Sequence, residues 1–313
     1  MQPVAGTVIP SCLLLLLFLT TAQTVNRASH WEYDGPLGVK HWQEEFVYCG
    51  KEAQSPINIQ TLNTQYDRSL KTVRLSGYSD LSCDALTLSN NGHTVQMDLP
   101  STMYISSLPH KYRAAQLHFH WGSLVWPSGS EHLIDGERAP AEMHIVHYNS
   151  EKYQNVSEAM RKADGLVVLG VLLEVGKFKN PAYENILRHL ESIPFAGQEV
   201  EIPSFDIRSL LPKRLDQYFT YRGSLTTPPC YQSVHWFIFH QRVPLSLSQF
   251  KTLRTGLFRT PNDTVQTLPL VNNFREAQPV GNRPVKASFP VGWVIDFRKA
   301  VQKLLKMLSM KLH

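Results

Sequence analysis

The sequence predicts a mainly β (α+β) single domain, built on a large, mostly antiparallel twisted central sheet with a few peripheral helices. Three observations lead to this prediction. The chain has 313 residues, 42% hydrophobic and 18% charged, which suffices for a sizeable core and excludes disorder, collagen and coiled coil. Residues 31–289 contain no linker, repeat or low-complexity tract. Turn signals such as Asn91-Gly92 and Asp164-Gly165 recur between short alternating or β-branched runs.

The strand candidates outnumber the helix candidates. The predicted strand regions are 86–99, 114–121, 142–148, 166–175 and 234–239. Region 166–175 is almost continuously apolar, which is typical of a central strand covered on both faces. Helical periodicity is clearest over 182–193 and 247–258.

The N-terminus has the pattern of a secretory signal peptide. An apolar run over 12–19 is followed by small and polar residues up to Ala22, with no charged side chain before Arg27. The run is too short to span a bilayer, so we assign residues 1–22 to a signal peptide and residues 23–290 to one domain.

The C-terminal residues 291–313 form a predicted basic amphipathic helix. Five basic residues and one acid over 292–313 give +4 of the formal charge of +5, so the rest of the chain is nearly neutral and nucleic-acid binding is not expected. Charges interrupt the apolar face, which excludes a membrane span. The helix could dock on its own domain, pair with a second copy to give a dimer, or lie on an anionic membrane surface.

Two histidine-bearing segments point to a metal site. Over 114–121, period-two alternation places Ala115, Leu117, Phe119 and Trp121 on one face, and Gln116, His118 and His120 on the other. Two imidazoles on one strand face can coordinate a single ion. An isolated His-x-His also occurs by chance, with its histidines solvated or buried in the core.

A third imidazole comes from the segment 141–146. Alternation there places Glu142, His144 and Val146 on one face, so His144 can complete a set of three. Three neutral imidazoles without cysteine or carboxylate leave Zn²⁺ an open fourth position, as in catalytic sites. Gln116 and Glu142 precede proposed ligands by two residues and can orient their rings.

Export changes the role of the cysteines. Removal of Cys12 with the signal leaves Cys49, Cys83 and Cys230, which allows one disulfide and one remaining thiol without choosing the pair. Asn155 and Asn262 lie in glycosylation sequons, which agrees with secretion.

Six ordered segments carry a family resemblance. QLHFHWG (116–122), GSEH (129–132), AEMHIVHYN (141–149), GSLTTPPC (223–230), QSPINI (54–59) and NNGH (90–93) closely resemble the α-class carbonic anhydrases. The resemblance covers 31–289. The body is most similar to the extracellular branch, nearest to membrane-anchored type fourteen, whereas the two ends resemble secreted type six.

The resemblance implies a zinc lyase that hydrates carbon dioxide reversibly to bicarbonate and a proton through zinc-bound hydroxide. It implies that Thr226 contacts this hydroxide with Glu131 behind it, and that His93 shuttles the proton. The implied residues group as follows: zinc ligands His118, His120 and His144; supporting residues Gln116, Glu142 and Asn273; substrate contacts Val146, Val168, Leu225, Thr227 and Trp236; proton path Tyr33, Asn91 and Gln96.

The resemblance also implies a disulfide between Cys49 and Cys230, which leaves Cys83 as a buried thiol or an intermolecular link. The expected location is secreted, with the outer face of the plasma membrane as the alternative. Two other functions stay open: a catalytically weak carbonic anhydrase-like binding module that has lost zinc, and a membrane-surface role of the C-terminal helix.

Overall fold

Residues 30–81 and 85–291 are described by a computed structural model. This part of the chain forms four α-helices and sixteen strands. The helices are α1 Trp42–Glu45, α2 Val156–Ala159, α3 Pro181–Leu187 and α4 Leu247–Arg254. The strands are β1 Asn58–Ile59, β2 Gln65–Tyr66, β3 Leu75–Ser76, β4 Ala85–Asn90, β5 Val95–Asp98, β6 Tyr104–Ile105, β7 Tyr112–Trp121, β8 Leu133–Ile134, β9 Glu137–Arg138, β10 Ala141–Asn149, β11 Leu166–Gly176, β12 Gln198–Pro203, β13 Tyr218–Gly223, β14 Val234–Phe239, β15 Val243–Ser246 and β16 Lys286–Ala287.

One large mixed sheet organises the described residues. Its strand order is β12-β4-β5-β7-β10-β11-β14-β13-β16-β2, with β3, β6 and β15 attached beside this path. Antiparallel pairs predominate, whereas β11 pairs in parallel with β14 and β15, and β16 with β2. Strands β1, β8 and β9 form a separate small sheet. The mainly β fold class predicted from the sequence is confirmed.

Strand β11 lies at the centre of the sheet, as its apolar sequence predicts. Its first eight residues are buried, and alternate side chains enter different clusters. Val167 and Leu169 pack into the larger core, whereas Val168 and Leu172 pack into a second cluster on the opposite face. The sheet therefore has apolar packing on both faces, and strands β10, β11 and β14 send their even-numbered side chains to the second cluster.

Strand β7 contains a β-bulge at Ala115, so the predicted face of this residue is wrong. Gln116 pairs with Val146 and Ala114 pairs with His147, so Ala115 has no directly opposed residue on β10. Such an extra residue reverses the alternation beyond it. Ala114, and not Ala115, is consequently the residue that joins the core with Leu117, Phe119 and Trp121.

The helices are shorter than their periodicity suggests. Region 182–193 forms α3 and then a 3-10 turn over Leu190–Ser192, which ends before Pro194. Helix α4 stops at Arg254 because Gly256 takes the left-handed conformation (φ 81°) that terminates helices. Region 86–99 forms two strands, β4 and β5, around the turn at Asn91-Gly92.

The predicted disulfide between Cys49 and Cys230 is present, with Cα atoms 4.9 Å apart. It joins the N-terminal part of the domain to the loop after β13. The predicted signal peptide, Cys83 and the C-terminal helix from residue 292 onward lie outside the described residues. Among the residues that are described, no helix has the length and apolarity needed to cross a bilayer.

Candidate metal centre

The three predicted metal ligands meet on one face of two paired strands. Antiparallel pairing of β7 with β10 sets His118 directly opposite His144, and His120 lies two residues further along β7. Nε2 of His120 is 3.1 Å from Nδ1 of His144, and one ring nitrogen from each of the three lies within 4.8 Å of the others. His120 and His144 are each 1% exposed, whereas His118 is half-buried. Three imidazoles thus converge on one point, and His118 is the most exposed of them.

The second ring nitrogen of each imidazole faces a hydrogen-bond acceptor. The pairs are His118 Nδ1 with Gln116 Oε1 at 2.8 Å, His120 Nδ1 with the Asn273 carbonyl at 2.7 Å, and His144 Nε2 with Glu142 Oε1 at 2.7 Å. An acceptor requires the proton to sit on the nitrogen that faces it. The converging nitrogens, Nε2 of His118, Nε2 of His120 and Nδ1 of His144, therefore present lone pairs.

Burial keeps two of these rings neutral. Desolvation, helped by the neighbouring histidines, holds the pKa of His118 well below 6.5, and burial also lowers the pKa of His120. A ligating imidazole must be neutral, so both effects favour metal binding near neutral pH. The donor set of three imidazoles, each oriented by an acceptor on its other ring nitrogen, fits a metal such as zinc.

Glu142 is the centre of the supporting hydrogen bonds. Its Oε1 lies 2.7 Å from both His144 Nε2 and His132 Nδ1, and its Oε2 accepts from the backbone N–H groups of Glu131 (2.9 Å) and His132 (2.7 Å). Burial opposes charge on Glu142, but His132 and His144 lower its pKa well below the usual range. Gly170 leaves room for this carboxylate, because a Cβ there would lie 3.1 Å from Oε1.

His132, Glu142 and His144 also lie close enough to hold a metal as a group. Their atoms are instead occupied by hydrogen bonds to one another, and Nε2 of His132 lies 2.7 Å from the Tyr221 hydroxyl, which donates to Ser55. We therefore interpret this group as support for His144. The sequence reasoning missed His132 and Tyr221, although His132 lies within the GSEH segment and could have been noticed there.

Glu131 lies behind the metal centre. Its Oε1 accepts from the backbone N–H of Arg275 at 2.9 Å, and the guanidinium of Arg275 is anchored by the carbonyls of Cys49 and Ser55. Its buried Oε2 has no hydrogen-bond partner among the described residues and is 3.5 Å from Nε2 of His120. The hydrogen bond from Thr226 that the resemblance implies is thus not formed in this structure, although Thr226 is buried (5% exposed).

The predicted substrate residues lie beside the imidazoles. Val146, Val168 and Trp236 belong to the cluster on this face of the sheet, and Leu225 packs against it. The Trp236 ring centroid is 4.8 Å from that of His144, and its Nε1 donates to the carbonyl of Ser224. These side chains form an apolar wall, and the half-buried Thr227 follows Thr226 in the same loop.

His93 occupies the turn between β4 and β5. Asn91 Oδ1 accepts from the backbone N–H groups of His93 and Thr94, and Asn273 Nδ2 donates to the His93 carbonyl, so Asn273 connects this turn to His120. The His93 ring stacks on Trp31, with centroids 3.8 Å apart and 11° between the planes.

The other two proton-path candidates have separate surroundings. Gln96 lies opposite His118 on β5 and donates to Asp98. Burial and the Glu131 carboxylate raise the pKa of Tyr33 well above its usual range, so its phenol stays neutral.

The two residues of the predicted glycosylation sequons, Asn155 and Asn262, are exposed, and Asn155 caps the N-terminus of α2.

Comparison with known proteins agrees with this geometry. The family model of the eukaryotic-type carbonic anhydrases matches residues 37–289. The chain is 43% identical over 280 residues to carbonic anhydrase 12 of Homo sapiens, which covers 88% of this chain and 79% of that protein. It is 42% identical to carbonic anhydrase 6 of Homo sapiens over 282 residues, 89% of each chain, and 42% identical to carbonic anhydrase 6 of Bos taurus over 280 residues, 88% of this chain and 85% of that protein. With this match over most of its length and three converging imidazoles, the chain belongs to the eukaryotic-type carbonic anhydrase family and is an enzyme of the lyase class.

Proposed function

We propose that this enzyme binds zinc through His118, His120 and His144, and interconverts carbon dioxide and water with bicarbonate and a proton. The observation that carries the proposal is the convergence of three imidazole lone pairs, each fixed by an acceptor on the other ring nitrogen. When bound, zinc supplies the Lewis acidity that lets water lose a proton near neutral pH. A binding module that has lost zinc is not favoured, because no ligand is missing.

Thr226 and Glu131 would orient the attacking oxygen. Glu131 Oε2 is buried and has no partner among the residues that the structure describes, so it can accept a hydrogen bond from the Thr226 hydroxyl once that side chain turns toward it. Thr226 Oγ1 would then have only lone pairs to offer and accept a hydrogen bond from the attacking oxygen, which directs that oxygen's own lone pair at the substrate. Arg275 supports this role, since its backbone N–H fixes the other carboxylate oxygen.

The apolar wall suits a substrate without net charge. Carbon dioxide offers no strong hydrogen-bonding group, so shape and exclusion of water would hold it beside the metal. Val146, Val168 and Trp236 are at most 7% exposed and are fixed by the central strands. Leu225 and Thr227 would complete this surface from the loop after β13.

His93 would carry the released proton to solvent. An imidazole can accept a proton on one ring nitrogen and release one from the other, which is the chemistry that a relay needs. Its position in a turn held by Asn91, and its half-buried ring, support a relay between the site and the surface. Tyr33, Asn91 and Gln96 would hold the intervening water.

We further propose that residues 1–22 direct secretion and that residues 291–313 form a separate basic helix. The disulfide between Cys49 and Cys230 supports an oxidising compartment, and the exposed Asn155 and Asn262 are accessible to glycosylation. The helix would determine whether the enzyme rests on a membrane surface, on a second copy or on its own domain.

The deciding experiment measures carbon dioxide hydration, before and after chelation, together with the zinc content of the wild type and of His118→Ala. We expect one zinc per chain in the wild type, loss of activity on chelation with recovery on adding zinc, and loss of both zinc and activity in His118→Ala. Activity that survives both the chelator and the substitution would overturn the zinc assignment.

A further inference from the structure

The ring of His93 lies where the turn between β4 and β5 meets the N-terminal segment, and Arg259 lies next to both of these parts. Trp31 covers His93 from the N-terminal segment, with ring centroids 3.8 Å apart, and it also makes edge contacts with Trp42 and Tyr33. A stack at this distance exists only while the backbone carrying Trp31 and the turn carrying His93 keep a fixed separation.

Arg259 holds the Trp31 side of this stack. Its Nη1 lies 2.6 Å from Asp34 Oδ1 and 3.3 Å from Glu32 Oε2, so one guanidinium pairs with carboxylates at both ends of the segment 32–34. Arg259 is 21% exposed and Glu32 29%, which reduces the screening of this pair by solvent, whereas Asp34 is 69% exposed.

The backbone of Arg259 lies beside the turn that carries His93. Its carbonyl oxygen is close to Gly92, since a Cβ built on that glycine would be 3.3 Å from it. The neighbouring carbonyl of Phe258 accepts a hydrogen bond from Asn90, at the start of the same turn. The backbone at residues 258–259 therefore adjoins the turn that carries His93, and the Arg259 side chain pairs with the segment that carries Trp31.

We propose that Arg259 is a positioning residue for proton transfer, which fixes Trp31 against His93 through its ion pairs with Glu32 and Asp34. This inference rests on the proposed relay role of His93. The physical reason is geometric: proton transfer depends on where the relay ring presents its nitrogens, and the stack on Trp31 sets one orientation of that ring. The backbone of the segment 32–34 is anchored by two hydrogen bonds at Glu32: its carbonyl accepts from Trp42 Nε1, and its N–H donates to the Leu37 carbonyl. The two ion pairs of Arg259 hold the side chains of the same segment.

The kinetic test separates proton transfer from the carbon dioxide reaction. The ratio kcat/KM reports the steps up to release of bicarbonate, whereas kcat also includes the later transfer of the proton to buffer. For Arg259→Met, assayed in a buffer too dilute to take protons directly from the site, we expect kcat to fall about three- to fivefold, the factor that corresponds to losing an exposed ion pair of the strongest usual kind. The ratio kcat/KM stays constant, and added imidazole restores kcat.

A spectroscopic measurement on the zinc-loaded enzyme tests the stack itself. The Trp31 ring current should displace the His93 ring protons upfield in proton NMR spectra. We expect this displacement to diminish in Arg259→Met and to persist in Arg259→Lys, which keeps the charge. Asp34→Asn combined with Arg259→Met should add less than the sum of the single effects, because both remove the same pair.

The matched control is Arg214→Met, which removes an exposed arginine–aspartate pair, Arg214 with Asp216 (2.8 Å), and should leave kcat and the His93 signals unchanged. If His93→Ala lowers kcat but Arg259→Met changes neither kcat nor the ring signals, the role of Arg259 is wrong and the relay stands. If His93→Ala leaves kcat unchanged, the relay fails and the catalytic role of Arg259 fails with it. Equal falls in kcat and kcat/KM for Arg259→Met would indicate a general structural defect and would also reject the proposal.

Discussion

Replacement of Glu142 by glutamine tests how the metal centre is supported. The substitution keeps the size of the side chain and removes one charge. Glu142 is fully buried, and all four of its neighbours are placed to donate: two backbone N–H groups on Oε2 and two imidazole nitrogens on Oε1. A glutamine side chain has one accepting and one donating end, so it cannot satisfy both sets of donors.

Both orientations of the amide are costly. If the amide nitrogen faces the backbone, the N–H groups of Glu131 and His132 are left without an acceptor, at about 1–3 kcal/mol each, or roughly 2–6 kcal/mol in total. If the nitrogen faces the rings, Nε2 of His144 must become an acceptor, and the proton moves to Nδ1, the nitrogen needed for the metal. In either case we expect zinc to bind about 10–100-fold more weakly.

The assay is competition with a chelator of known affinity, followed by urea unfolding of the zinc-loaded protein. Glu191→Gln serves as the control, because it makes the same chemical change at an exposed position. A zinc dissociation constant within threefold of the wild type, together with an unchanged free energy of unfolding, would refute the reasoning.

Two further predictions concern stability. Replacing Cys49 and Cys230 together by alanine opens a link between residues 181 positions apart, and the free energy of unfolding in urea should fall by up to about 5 kcal/mol; a fall below about 1 kcal/mol would contradict this. Burial lowers the pKa of His147 from 6.5 to about 4, so between these pH values the unfolded chain binds a proton that the folded chain excludes. The free energy of unfolding should therefore decrease as the pH falls from 6.5 to 4, by roughly 3 kcal/mol from this residue. His147→Phe should lose less stability over the same range, and an equal loss in both proteins would show that His147 is not the cause.

Local patterns in the sequence were sufficient for much of the site. Alternation along 114–121 and 141–146 placed His118, His120 and His144 on strand faces, and it placed Gln116 and Glu142 beside them, as the structure has them. These inferences succeed because the side-chain period of a strand is a local property of the backbone. The same rule failed at Ala115, since a bulge depends on the partner strand and not on the strand's own residues.

The resemblance identified more than periodicity could. It correctly paired Cys49 with Cys230, which residue spacing had left open. The relatives found, carbonic anhydrases 12 and 6, agree with the family, whereas the likeness of the body to type fourteen and of the two ends to type six stay predictions. The signal peptide and the C-terminal helix likewise stay predictions.

The sequence by itself determined the fold class, the family and the three imidazoles, because each depends on residue type at short spacing or on ordered motifs. Only the tertiary structure decided which nitrogen of each ring points to the centre of the three imidazoles, because the acceptors include the Asn273 carbonyl, 153 residues from His120. It also decided that Glu131 Oε2 has no partner in the described part of the chain, and that Arg259 pairs with Glu32 and Asp34 on either side of Tyr33. Contacts between distant segments follow from how the sheet and its loops pack, and local sequence patterns carry no direct record of that packing.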